Sequence, residues 1–199
     1  PGLNVKVKAE FRLSAYTPFA DVSPNAWYFE AVSFVYDRGL MEGTSNYAFS
    51  PDADLSRGML AAILYRMAGS PEVSGYSTFG DVPTTAYYAR AIAWAQDHGI
   101  VTGVSAESYK PDSPVTREQL VAILSRYAQY KGHETSVSYD YLSTYGDASS
   151  ASAYAREALN WAVARGVIDG QSGGVLAPTA TASRAEVAQV LMNYLAVYA

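Results

Sequence analysis

Apolar positions recur along this chain at helical spacing. Tyr28, Ala31, Val32 and Val35 form one stripe, and Tyr88, Ala91, Ile92 and Ala95 form its counterpart further on. Steps of three and four residues place each set on one face of a helix. A second stripe follows each first one: Leu60, Ile63, Leu64 and Met67, then Leu120, Ile123, Leu124 and Tyr127, then Val187, Val190, Leu191 and Tyr194. Residues 5–13, VKVKAEFRL, instead alternate strictly between apolar and polar, the period of a strand. A lone strand is unstable, so this segment reads as the tail of an upstream β-domain or a linker, or else packs on the helical body.

The stripes sit inside a repeat. FADVSPNAWYFEAVSFVYDRGLMEG at 19–43 returns as FGDVPTTAYYARAIAWAQDHGIVTG at 79–103, and more loosely, with one extra residue, as YGDASSASAYAREALNWAVARGVIDG at 145–170. Each unit predicts a first helix opening after Asp21, Asp81 or Asp147 and stopping at Gly39, Gly99 or Gly166, where glycine supplies positive φ without strain. A loop with Gly43, Gly103 or Gly170 and then Pro51, Pro111 or Pro178 follows, and bars continuation of the helix.

The second helix is predicted to begin at Ser56, Thr116 or Ser183, N-cap residues in each unit. Gln119 and Glu186 complete capping boxes, whereas Met59 cannot, so the first cap should be weaker. Immediately inside each cap lies an arginine: Arg57, Arg117, Arg184. A cation there opposes the helix dipole, at a cost of about 0.3–1 kcal/mol when exposed. A fault repeated in every unit points to a gain elsewhere.

A stripe on one helix of about 14 residues cannot bury itself, whereas three related helices meeting on an axis can bury all their stripes together. At roughly 1.5–3 kcal/mol per large aliphatic side chain, that core is a major stabilising term. The expected fold is all-α: three helical repeats form one pseudo-threefold body around a three-helix core, preceded by a short β-like segment. The expected divisions are an N-terminal strand or linker at 1–18, repeats at 19–70, 79–130 and 145–199, and a linker loop at 131–144.

Composition narrows the partners. The net charge is -5, with Lys and Arg scattered, so the electropositive face that nucleic acid requires is missing. No apolar run approaches the roughly 18–20 residues that cross a bilayer, so membrane insertion is not expected. PGLNVKVKAE lacks the apolar core of a signal peptide, and a chain starting at Pro1 leads us to expect a covalently attached cargo domain upstream. Cysteine is absent, which removes disulfides and thiolate sites. Tyrosine is abundant at 17 residues, and an aromatic ring with a polar tip suits interfaces and sugar-binding surfaces.

The ordered motifs F-x-D-V (FADV, FGDV, degenerate YGDA), W-Y-x-x-A (WYFEA, YYARA, YAREA), the R-G or H-G turn, and a T-R-A-E-type helix start (SRGM, TREQ, SRAE) resemble an S-layer homology triplet over residues 19–198. That resemblance implies a pseudo-trimer of helical repeats, a monomer overall, located on the bacterial cell wall or S-layer. It further implies non-covalent anchoring of an exported protein through secondary cell-wall polysaccharide, typically carrying a pyruvylated amino-sugar, bound in grooves between repeats. A planar two-pronged guanidinium beside free helix N–H groups suits a carboxylate, and a pyruvate ketal supplies one. Arg57, Arg117 and Arg184 are therefore expected to face the grooves. The competing reading pairs each with Asp21, Asp81 or Asp147 of a neighbouring unit, locking the lobes together.

The remaining candidates carry two readings each. Asp21, Asp81 and Asp147 cap the first helix or accept from sugar hydroxyls. Trp27, Tyr87 and Tyr154 stack on a pyranose or pack in the core. Gly43, Gly103 and Gly170 shape the loop or let a ligand reach the backbone. Arg57-Gly58-Met59 and Pro178-Thr179 depart from the family pattern, so unequal grooves are expected.

No catalytic constellation is present: His98 sits in a glycine turn and His133 in the polar linker loop. Asp52 and Asp54 lack the glycine and glutamate of a calcium loop, so neither metal nor cofactor is expected. The alternative to glycan anchoring is a protein–protein or lattice-assembly module.

Overall fold

The computed structural model describes residues 16–198, and the alternating segment at 5–13 lies outside the described residues. Six α-helices run through the described residues: α1 (Phe29–Asp37), α2 (Arg57–Met67), α3 (Ala89–Asp97), α4 (Arg117–Tyr130), α5 (Arg156–Ala164) and α6 (Arg184–Tyr198). The first helix of each unit is short because the segment after the motif aspartate folds as turns. In the first unit, Ala26 N donates to Ser23 O and Phe29 N to Ala26 O; in the second, Ala86 N donates to Pro83 O and Ala89 N to Ala86 O. In the third unit, with its extra residue, 3-10 turns at Ala148–Ser150 and Ala153–Ala155 take their place.

The first helices end where glycine permits. Gly39, Gly99 and Gly166 have φ of 64°, 67° and 66°, and the following Leu40, Ile100 and Val167 donate back to Val35, Ala95 and Ala162. The second helices start on their caps. Ser56 accepts from Met59 N without a reciprocal bond, whereas Thr116 and Gln119 close a full capping box. Ser183 and Glu186 close another, with Ser183 N donating to Glu186 at 2.9 Å and Glu186 N to Ser183 at 3.2 Å.

Packing joins neighbours in sequence and the two ends of the chain. α3 lies against α2, α5 against α4, and α1 against α6. The second-helix stripes are buried except at Met67, which packs on the core from its edge, as does the inner face of every first helix. Phe34, Trp94 and Trp161 occupy the same place in their units and are all buried. Just ahead of α2, α4 and α6, Leu55 N donates to Ala182 O, Ala182 N to Val115 O, and Val115 N to Leu55 O, at 2.9–3.0 Å. That closed circuit of backbone bonds fixes the starts of the second helices against one another.

Candidate functional site

The arginines start from the first turns of α2, α4 and α6 and reach into the loop of another unit. Arg57 Nε donates to Tyr109 O at 2.8 Å and Nη2 to Thr102 O at 3.1 Å. Arg117 repeats this with Leu176 O at 2.9 Å and Asp169 O at 3.0 Å. Arg184 does so with Phe49 O at 2.8 Å and Glu42 O at 2.6 Å. Their exposures are 5%, 4% and 6%. Arg57 also lies over the Tyr109 ring and Arg184 over the Phe49 ring, 4.4 and 4.5 Å from the centroids. Burial pushes the pKa of the Arg184 guanidinium down, with Tyr87 and Asp21 opposing.

The aspartates grip the same loops from the other side. Asp21 accepts from Phe49 N and Ser50 N, both at 2.8 Å. Asp81 accepts from Tyr109 N and Lys110 N at 2.8 Å and from Ser108 Oγ at 2.7 Å. Asp147 accepts from Leu176 N at 2.8 Å and Ala177 N at 2.7 Å. Neither helix capping nor an Asp–Arg ion pair describes them. Arginine and aspartate instead hold the carbonyl and the amide of one shared residue: Phe49, Tyr109 or Leu176. The residue after it, Ser50, Lys110 or Ala177, has φ of 57°, 55° or 50° ahead of a proline, and the carboxylate bond to its N–H holds that strained turn. Desolvation pushes the Asp81 carboxyl up, but the bonds from Tyr109, Ser108 and Lys110 outweigh it and hold it below its ordinary value. Asp147 is lowered in the same way, by Leu176, Ala177 and its own amide against desolvation, with the charge of Arg117 adding to the effect.

The helix N-termini are already satisfied, which corrects the expectation of free N–H groups there. Arg57, Arg117 and Arg184 N–H donate to Ser113, Ala180 and Ala53 carbonyls, and Gly58, Glu118 and Ala185 N–H to Pro111, Pro178 and Pro51. The third N–H of each of these helices, at Met59, Gln119 or Glu186, goes to the cap side chain. What remains of each cation-bearing terminus is one guanidinium nitrogen, Nη1. In Arg117 it donates to Glu186 Oε1 at 2.9 Å. In Arg57 and Arg184 it has no hydrogen-bond partner among the described residues.

Arg57 lines a cleft of about 300 Å³ shared with Gly103, Gln119, Arg126 and Tyr154. A smaller hollow of about 160 Å³ continues past Arg126 and Tyr154 toward Gln129 and Glu157. Tyr154 Oη donates to Glu118 at 3.1 Å, and that buried carboxylate is held by Ser152 N and Oγ at 2.9 and 2.8 Å. Burial, with the charge and hydrogen bond of Glu118, pushes the Tyr154 phenol to about 12. The ring is therefore fixed at one end yet 55% exposed. Trp27 and Tyr87 are 63% and 64% exposed, each edge-on to a neighbouring tyrosine, Tyr28 or Tyr88, so none of these rings is core.

Gly43, Gly103 and Gly170 share a steric reason. A Cβ on any of them would collide with the ring of Phe19, Phe79 or Tyr145. Reasoning from sequence missed Arg126, Gln119 and Glu118. Arg126 stands in register with Arg66 and Asn193, so aligning the repeats beyond the motif would have raised it. His98 Nδ1 lies 2.8 Å from Trp94 O and His133 stacks on Tyr198, both away from the cleft. Among the described residues, no group of three or more His, Asp or Glu could hold a metal ion, and no helix is long and apolar enough to cross a membrane.

The fold and site define a class of module built from repeated helical units joined by buried arginine–loop clamps. The profile described as S-layer homology domain matches residues 18–58, 78–121 and 144–188, and the chain belongs to that family as a triplet. Membership places it outside the cell, at the bacterial cell wall or S-layer. It is 34% identical over 164 residues to a surface-layer 125 kDa protein of Lysinibacillus sphaericus, covering 81% of this chain and 13% of that protein. It is 30% identical over 178 residues to an endoglucanase of Bacillus sp. (strain KSM-635), covering 89% and 19%. An amylopullulanase of Thermoanaerobacterium thermosulfurigenes is 28% identical over 181 residues, covering 89% and 9%. The chain thus spans less than a fifth of each of these relatives, and the enzymes match it only through that small part.

Proposed function

We propose that this chain anchors an exported protein non-covalently to the cell wall by binding anionic, pyruvylated secondary cell-wall polysaccharide between its repeats. The observation that carries this reading is the unpartnered Nη1 of Arg57, at a cleft that also holds Arg126 and the tethered ring of Tyr154. A carboxylate on a sugar would meet two cations there while the pyranose lies on the ring. The cleft has the size of a small-ligand site, about 300 Å³. Arg184, Asp21, Asp81, Asp147, Trp27, Tyr87 and the three loop glycines serve this site and its counterparts by shaping the loops and rims. The cyclic packing and the closed backbone circuit support a pseudo-threefold monomer, with α2, α4 and α6 as its inner helices.

Alanine at Arg57, Arg117 or Arg184 is a poor test, because it would orphan buried loop carbonyls at about 1–3 kcal/mol each. The Arg126 side chain makes no hydrogen bond among the described residues, so Arg126→Ala separates binding from folding. Purified cell walls should retain the intact chain, lose it after chemical removal of the polysaccharide, and hold Arg126→Ala about tenfold more weakly with an unchanged melting temperature. Retention that ignores the polysaccharide favours the alternative: a protein–protein or lattice-assembly module. That reading draws on the same clamps, since two of the three nitrogens of Arg57 and Arg184, and all three of Arg117, are spent within the fold.

A further inference from the structure

We propose that Glu118 is a positioning residue for glycan binding, one that holds the ring of Tyr154 in the Arg57 cleft; this rests on the glycan reading above. Tyr154 stands where the other units carry Trp27 and Tyr87, and each of those rings leans edge-on against the tyrosine that follows it, 5.3 Å from Tyr28 or 4.9 Å from Tyr88. The third unit has Ala155 at that next position, so Tyr154 has no such ring to lean on. A carboxylate from the neighbouring unit does the holding instead. Glu118, the second residue of α4, accepts from Tyr154 Oη at 3.1 Å and from Ser152 N and Oγ at 2.9 and 2.8 Å. All three donors belong to the short stretch that carries the ring.

The two ways of holding a ring exclude one another in space. Gly58 is the counterpart of Glu118 in α2, and a Cβ on it would meet the Tyr88 ring at 2.8 Å. A ring therefore sits against a glycine at one repeat boundary, and an acid beside an alanine at the next. Glu118 is 5% exposed and makes no ion pair among the described residues, so its desolvation is offset by those three bonds and by the positive end of α4. An unpaired buried acid is an unusual support for a turn alone. The ring that it holds lines the cleft beside Arg57 and Arg126. A side chain already fixed in place loses little freedom when a pyranose stacks on it, an advantage of up to about tenfold in affinity.

Carbon NMR of the whole chain, labelled at the tyrosine Cζ atoms and with Tyr154→Phe to assign the signal, tests this. Titration with a methyl glycoside of an N-acetylhexosamine bearing a pyruvate ketal should move the Tyr154 signal of the unmodified chain. Glu118→Ala should weaken that binding about five- to tenfold, and Glu118→Gln, which still offers the phenol an acceptor, should fall between the two. The same signal reports the tether without any ligand. Burial, with the charge and hydrogen bond of Glu118, holds the Tyr154 phenol up at about 12 while Arg57 and Arg126 oppose, so removing the carboxylate should bring its titration down toward the ordinary 10. If Glu118→Ala does not fold, Glu118→Gln carries both comparisons. If the unmodified chain binds and the variants bind as tightly, the inference is overturned and the glycan reading stands. If the unmodified chain does not bind the glycoside, the glycan reading falls, and the phenol titration decides the inference alone: a lowered Tyr154 pKa in the variants supports the tether, and an unchanged one overturns it.

Discussion

At the residue scale, the repeated arginine is explained by what it reaches rather than by where it starts. Its penalty at the helix N-terminus is offset by two bonds to loop carbonyls, one buried and one part-buried, the kind of hydrogen bond to a charged group that contributes about 1.5–3 kcal/mol. Asp81 completes the clamp from the amide side. Asp81→Asn keeps one acceptor oxygen for amides that now use both, and should lower unfolding stability by about 2 kcal/mol in urea titration. Gly103→Ala should cost about 1–3 kcal/mol or more by the same measurement, since the new methyl meets the Phe79 ring and two loop carbonyls. The presence of both residue types was legible in the repeats. Their partnership was not, because Arg57 and Tyr109 are brought together only when one unit docks on the next.

At the scale of the element, the second helices were legible almost to the residue because their start is a local device. Cap, capping partner and apolar stripe all lie within a few turns of chain. Thr116→Ala should cost about 1 kcal/mol by removing the bond to Gln119 N, measured by thermal or urea unfolding. Met59→Gln should add a few tenths of a kcal/mol by supplying the reciprocal bond that α2 lacks. The first helices were less legible. Their predicted start at the motif aspartate falls well before Phe29, Ala89 and Arg156, because the aspartate is drawn away to a distant loop and the chain between folds as turns.

At the scale of the whole molecule, contacts within and between repeats tie stability to pH at both ends. Asp81 and Asp147 have pKa values held below the ordinary 3.8, so their contribution is full above that value and is lost as pH falls through the lowered one. Tyr109, Tyr127 and Tyr154 are raised by burial from 10 to about 12, with the charge of Arg57 opposing the shift in Tyr109 and Tyr130 and Glu118 reinforcing it in Tyr127 and Tyr154. Their contribution is full below pH 10 and lost as pH rises through about 12. Urea midpoints should therefore hold across neutral pH, decline in strong acid, and decline again in the alkaline window. Tyrosinate absorbance should appear late in the folded chain. A flat profile beyond pH 10 would contradict the buried-phenol assignment.

The sequence by itself determined the helical class, the threefold repetition and the helix caps, because each depends on residues a few positions apart. Only the tertiary structure decided what the charged groups do. It gave the helix-terminal amides to neighbouring carbonyls, left one nitrogen of Arg57 for the cleft, and set Glu186 against Arg117. Those partners lie tens of residues apart in the chain, and no local pattern could have named them, since each pairing exists only after the repeats have packed.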